Sequence, residues 1–169
     1  MTIINRIIKA IKQEVDKPAS FVKGEEFENY VRTILFPEGK YALLNRTHNY
    51  HTNKADFVAS SLKPDFEFQC IDTNRKFHVE VKFRDGTYNQ YDKIEWCKPY
   101  QLKRYRAINK TQKVFIALGI GERPYKPEEV FIIPLDSINF CDFYDSFLNK
   151  YSFPYIDKPV FSSYLWRLT

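Results

Sequence analysis

Asp65, Glu80 and Lys82 are the residues whose types and spacing could do chemistry together. They sit in a stretch, 64–84, that reads as two strands joined by a tight turn. In the first strand Phe66, Phe68 and Cys70 alternate with Asp65, Glu67 and Gln69; in the second Phe77, Val79, Val81 and Phe83 alternate with His78, Glu80, Lys82 and Arg84. Strict alternation marks a strand with one apolar and one polar face. Asp72, Thr73, Asn74 and Arg75 supply turn chemistry between the two. A turn centred between Thr73 and Asn74 puts Asp65 across from Lys82 and Glu67 across from Glu80, with Asp65 and Glu80 diagonal neighbours about 7–8 Å apart. A two-residue slip sets Asp65 opposite Glu80 instead. A one-residue slip is excluded by the apolar rows, because it would send the two polar rows to opposite faces. In both allowed registers two carboxylates and an ammonium project from one side of a stiff platform. Such a pair suits a hard divalent cation whose shell is completed by water and substrate phosphate. An ion held there polarises a phosphoryl oxygen and lowers the pKa of bound water, and a nearby lysine can position that water or offset developing charge.

Pro64-Asp65 followed by Glu80-Val81-Lys82 resembles the signature of the PD-(D/E)XK nuclease superfamily. The resemblance implies a restriction-endonuclease-like fold that cuts phosphodiesters with magnesium, manganese being a workable substitute. It covers residues 23–135. It implies that Asp65 and Glu80 hold the metal and that Lys82 positions or activates the water.

The elements on either side extend the likeness. A helix expected from Gly24 to Leu35, stopping before Pro37, carries Phe27, Tyr30, Val31, Ile34 and Leu35 on one arc. Glu28 falls roughly 20° beyond Leu35, at the edge of this stripe, where it can reach a site between helix and sheet. Glu25 points away and Glu26 flanks the opposite edge. The run Gly24-Glu25-Glu26-Phe27-Glu28 is similar to the first-helix motif of several branches, which implies that Glu28 assists metal or water binding. After the hairpin, Pro99 stands where a first helical residue should, and Gln101 and Tyr105 follow one turn apart on one face. This pair resembles the fourth motif of exonuclease and resolvase branches, implying that both orient the lysine or the phosphate. Arg84, Lys98, Lys103, Arg104 and Arg106 are expected to grip a nucleic-acid backbone.

The whole chain bounds these readings. Its 169 residues suit one domain with a substantial core. The formal charge is +5, yet residues 75–110 alone hold ten Lys/Arg against four Asp/Glu, so the positive charge collects around and after the candidate site. A polyanionic partner is the natural reading. Cys70, Cys97 and Cys141 are odd in number and widely spaced, which argues against a disulfide framework or zinc site and favours a cytoplasmic setting. Residues 2–15 read as an amphipathic helix over the core or at a dimer seam, ended at 17–20, and Asn5, Arg6, Lys9 and Lys12 interrupt any membrane span. His48 and His51 read as loop residues, and Asp56 as a rival to Asp65 for the metal. The segment 88–96 mixes aromatic and polar residues and is read as a loop. The apolar runs 113–120 and 130–135 suit buried strands. Residues 136–169 form an aromatic-rich extension, read as a helix with an aromatic face over 140–151 and an irregular tail anchored by Trp166.

The expected architecture is α/β: a mixed central sheet flanked by helices, with an N-terminal helix over 1–20, a core over 23–135 and the C-terminal extension. The expected activity is magnesium-dependent hydrolysis of DNA, with RNA the competing polymer and homodimerisation left open. The alternative is an inactive nucleic-acid-binding or assembly module on the same fold.

Overall fold

The structure, a computed structural model, describes residues 19–47, 62–86 and 93–169. The expected helix over 2–15, His48, His51, Asp56 and residues 88–92 fall outside these.

The described chain opens with α1 (Ala19–Tyr30), which widens into a π-type turn over Val31–Leu35. The helix therefore starts ahead of Gly24, and Ala19 and Ser20 belong to it rather than to a preceding linker. It stops where expected: Phe36, with φ −126° and ψ 61°, leaves the helical region before Pro37, in keeping with the bias of a residue preceding proline away from helix. Strands β1 (Tyr41–Arg46), β2 (Phe66–Cys70) and β3 (Lys76–Arg84) follow. After β4 (Lys93–Glu95) and α2 (Pro99–Asn109) come β5 (Val114–Ile120) and β6 (Glu129–Pro134). The chain closes with β7 (Asp142–Tyr144), a short α3 (Asp145–Leu148) and α4 (Ser162–Arg167).

Five strands make one mixed sheet in the order β1-β2-β3-β5-β6. β3 and β5 run parallel and the other neighbours antiparallel, because α2 carries the chain back between β3 and β5. The period-2 pattern sorts the side chains into two apolar layers. Phe66, Phe68, Phe77, Val79, Val81, Phe115 and Ala117 face α1 and α4. Ile116 and Leu118 face α2 and the small β4–β7 sheet, meeting Leu102, Tyr105, Ile94 and Trp96. β5 is buried along its whole length, as a nearly continuous apolar run requires of a strand covered on both faces.

Gly119 in β5 sets how closely α1 approaches. A Cβ there would lie 2.4 Å from ring atoms of Phe27, so only glycine lets that ring seat on the strand. The helix that carries Glu28 is thereby held tightly against the sheet.

The C-terminal extension differs from the expected helix. Phe143 is drawn into β7, where it stacks on Trp96 at 5.5 Å with rings 3° from parallel. A strand gives that contact while β4 supplies its backbone partners. The expected irregular tail contains α4, and Trp166 anchors it through edge contacts with Phe77 and Phe115 under the Arg75 guanidinium, 3.5 Å from the ring centroid. Among the described residues no helix is long and apolar enough to cross a membrane.

Candidate active site

The hairpin adopts the second of the two registers open to it. Phe66 pairs with Val79, Glu67 with His78 and Phe68 with Phe77; one further step sets Asp65 against Glu80, not Lys82. The loop closes on Cys70 and Arg75, and Asn74 takes a left-handed φ of 56°, a conformation that Asn tolerates well. This moves the turn one position earlier than a centre between Thr73 and Asn74.

The β2–β3 ladder ends at Phe66–Val79, and the site is built where it ends. The next inward-facing amide of β3, Val81 N–H, donates to Asp65 Oδ2 at 2.7 Å. A side chain therefore takes the place of the missing strand. Asp65 is held in turn from β1, since the Thr47 amide donates to Asp65 O at 2.8 Å and the Thr47 hydroxyl to Pro64 O at 2.7 Å. Between α1 and the uncovered stretch of β3 lies a cleft of about 480 Å³. Its lining includes Asp65, Lys82 and Glu28, with Lys23 and Asp85 at 3.9 Å across it.

Glu80 lies behind the cleft wall, 2% exposed. Lys82 Nζ donates to its Oε1 at 2.6 Å, whereas Oε2 is buried without a hydrogen-bond partner. Tyr105, buried in α2 and stacked on Trp96, faces the same carboxylate. Burial first, then the charges of Glu80 and Asp65, raise the Tyr105 phenol, so it keeps its proton. Burial also pushes the Asp65 carboxyl well above its usual range, with Glu80 and then Glu28 adding to the rise, while Lys82 and the Val81 amide oppose it. For Lys82 burial favours the neutral amine, but Glu80 and Asp65 together outweigh it and its pKa is raised. The ammonium is thus the stable form.

Glu28 reaches the cleft from α1, but its Oε2 accepts from Arg46 Nη2 at 2.9 Å. Burial raises its pKa despite that partner. Arg46, which sequence reasoning missed, stands opposite Phe66 across the β1–β2 ladder and lies over its ring at 5.7 Å. Only the strand pairing, which no local pattern encodes, brings it there. Glu25 also lines the cleft, contrary to its expected direction. The helix begins earlier than Gly24 and crosses the sheet so that two faces of its first turns meet the opening.

The other expected residues are placed elsewhere. Gln101 Oε1 accepts from the Lys98 backbone N–H at 2.9 Å and caps α2, so its side chain serves the helix start. Arg84 lines the cleft but gives its guanidinium to the carbonyls of Glu95 and Phe83, which makes it a strut between β3 and β4. Lys98 pairs with Glu95. Arg104 lies over the rings of Tyr100 and Tyr105, and Lys103 and Arg106 line a separate groove on the outer side of α2.

The donor set fits a hard cation. It is all oxygen, and one buried carboxylate oxygen has no partner. Among the described residues no three His, Cys, Asp or Glu side chains converge as a complete protein cage. Two carboxylates with water and phosphate making up the rest is how Mg²⁺ is ordinarily held.

No protein-family model and no curated protein matches the chain. Its fold is similar to that of Hjc, a Holliday junction resolvase from the archaeal hyperthermophile Archaeoglobus fulgidus. The TM-score is 0.53 at 12% sequence identity, over 83% of this chain and 99% of that one. The five-stranded mixed sheet flanked by helices is therefore the resolvase-type, restriction-endonuclease-like fold.

Proposed function

We propose that the chain is a metal-dependent nuclease that hydrolyses phosphodiester bonds in DNA. The observation that carries this reading is the meeting of Asp65, Glu80 and Lys82 where the β2–β3 ladder ends, with Glu80 Oε2 buried and unsatisfied. Asp65 and Glu80 would hold Mg²⁺, with Mn²⁺ a substitute. The bound ion supplies Lewis-acid polarisation of a phosphoryl oxygen and a lowered pKa for its water.

The protein's own groups have distinct tasks. Lys82, held as an ammonium by its two carboxylate neighbours in the metal-free protein, fixes the Glu80 rotamer and offers positive charge to a phosphate that gains negative charge. Tyr105 keeps its proton and holds Glu80 from the α2 side. Val81 N–H orients Asp65. Glu28 assists from α1 when released by Arg46.

The competing reading, an inactive binding module on this fold, draws on one observation: Glu28 is already paired with Arg46. Cleavage assays separate the two. Plasmid, linear and branched DNA and RNA are incubated with the wild type, Asp65→Ala and Lys82→Ala, with and without Mg²⁺. The nuclease reading expects scission by the wild type in Mg²⁺ alone. Activity that survives both substitutions rejects the site.

A further inference from the structure

Phe140 is the most exposed large apolar residue described, at 74%, yet its loop is not loose. Four successive carbonyls are pinned. Arg106 Nη2 donates to Ile138 O at 3.0 Å and to Asn139 O at 3.2 Å. The Trp96 indole N–H donates to Phe140 O at 3.0 Å, and the Trp96 amide to Cys141 O at 2.9 Å. The backbone is thus fixed with an aromatic ring turned outward. On one side of the ring lies a groove of about 630 Å³ carrying Lys103, Arg106 and Lys110, with no Asp or Glu in its described lining. On the other is a mostly apolar hollow of about 220 Å³ with Phe143, Tyr144 and Phe147, and with Asp142 as its one charged residue. Lys103 in α2 and Lys110 at its C-cap are exposed and two turns apart, roughly 10 Å along the axis, so they can meet more than one phosphate.

We propose that this surface docks nucleic acid with unpaired bases, a base stacking on Phe140 while Lys103 and Lys110 hold the adjoining phosphates. A flat apolar ring beside clustered cations matches a partner that alternates planar faces with negative charge, as a single strand does. Paired bases inside a duplex do not present those faces. The proposal rests on the nuclease reading for its choice of polymer and names the substrate class: strands that are single or frayed.

The test uses the full chain carrying Asp65→Asn, in EDTA, so that binding is measured without cleavage. Fluorescence anisotropy follows a labelled single-stranded oligonucleotide and the same sequence as a blunt duplex. Phe140→Ala is expected to weaken single-strand binding on the order of tenfold and duplex binding less than about twofold, with Phe140→Trp restoring the single-strand affinity. Lys103→Ala with Lys110→Ala is expected to lower the salt dependence for both. Equal loss on both polymers, no loss on either, or tighter binding of an acidic peptide than of the single strand overturns the proposal. These outcomes are independent of the cleavage assay, in which the wild type cuts or fails to cut whatever Phe140 contributes.

Discussion

Asp65→Asn should inactivate the protein and stabilise it when no metal is bound. Extending the hairpin register sets Asp65 opposite Glu80, and directly opposed side chains start about 5 Å apart. Two like charges at that distance repel by about 3 kcal/mol at an effective dielectric constant of ~20. Lys82, bound to Glu80 Oε1 at 2.6 Å, cancels part of this. Asn keeps an oxygen for the Val81 amide but accepts more weakly than a carboxylate. The net expectation is a gain of about 1–2 kcal/mol, which in a chain of this size raises Tm by roughly 2–6 °C.

Two further readouts make that number diagnostic. Mg²⁺ should raise Tm of the wild type, by about 2.7 kcal/mol in stability at a hundred times its Kd, and should leave Asp65→Asn nearly unmoved. The stability gap should also depend on pH with a defined sign. The Asp65 carboxyl has a folded pKa well above its ordinary 3.8, so the folded state binds a proton before the unfolded state does. The penalty in the wild type is therefore full above the folded pKa, shrinks as pH falls through it, and is gone below the unfolded value. Differential scanning fluorimetry in EDTA across pH 4–8 measures this. An Asp65→Asn protein less stable than wild type at pH 7.5, or one that retains the full Mg²⁺ shift, would refute the like-charge argument.

Other substitutions address the supports of the site. Gly119→Ala places a Cβ 2.4 Å from the Phe27 ring and should cost about 1–3 kcal/mol by urea titration; Phe27→Leu should recover part of the loss, whereas additive losses would refute the contact. Tyr105→Phe keeps the stack on Trp96 but removes the hydroxyl that faces Glu80, and should lower kcat about tenfold with KM nearly unchanged. Arg46→Met frees the Glu28 carboxylate of its 2.9 Å partner and should tighten Mg²⁺ binding severalfold by calorimetry, a gain that Glu28→Gln should remove.

Parts of the fold were legible in the sequence because they depend on short-range patterns. Alternation in 66–70 and 77–83 fixed which side chains share a face, since a one-residue slip would break both apolar rows. It could not choose between registers two residues apart, because both keep the rows intact. That choice was made by the turn, where Asn74 takes a positive φ. The apolar run of β5 was legible for the same reason as the hairpin, whereas β7 was not: aromatic spacing over 140–151 suits a helix, and only the partner Trp96, far away in sequence, makes a strand the better arrangement.

The candidate site divides along the same line. That Asp65, Glu80 and Lys82 lie close together was readable because one hairpin carries all three. For Gln101, an i,i+4 pair says where two side chains lie on a helix but not which of them also satisfies the helix's own first amides, as Gln101 does at 2.9 Å. For Arg84, charge alone does not show that its donors go to the Glu95 and Phe83 carbonyls. Arg46 was invisible because its importance lies in a cross-strand position and a helix contact at once. Side chains that one local element presents together are thus legible in the sequence. Those that restrain, cap or brace are legible only once the topology is known, and in this cleft the 2.9 Å pairing with Arg46 sets what Glu28 can offer from α1.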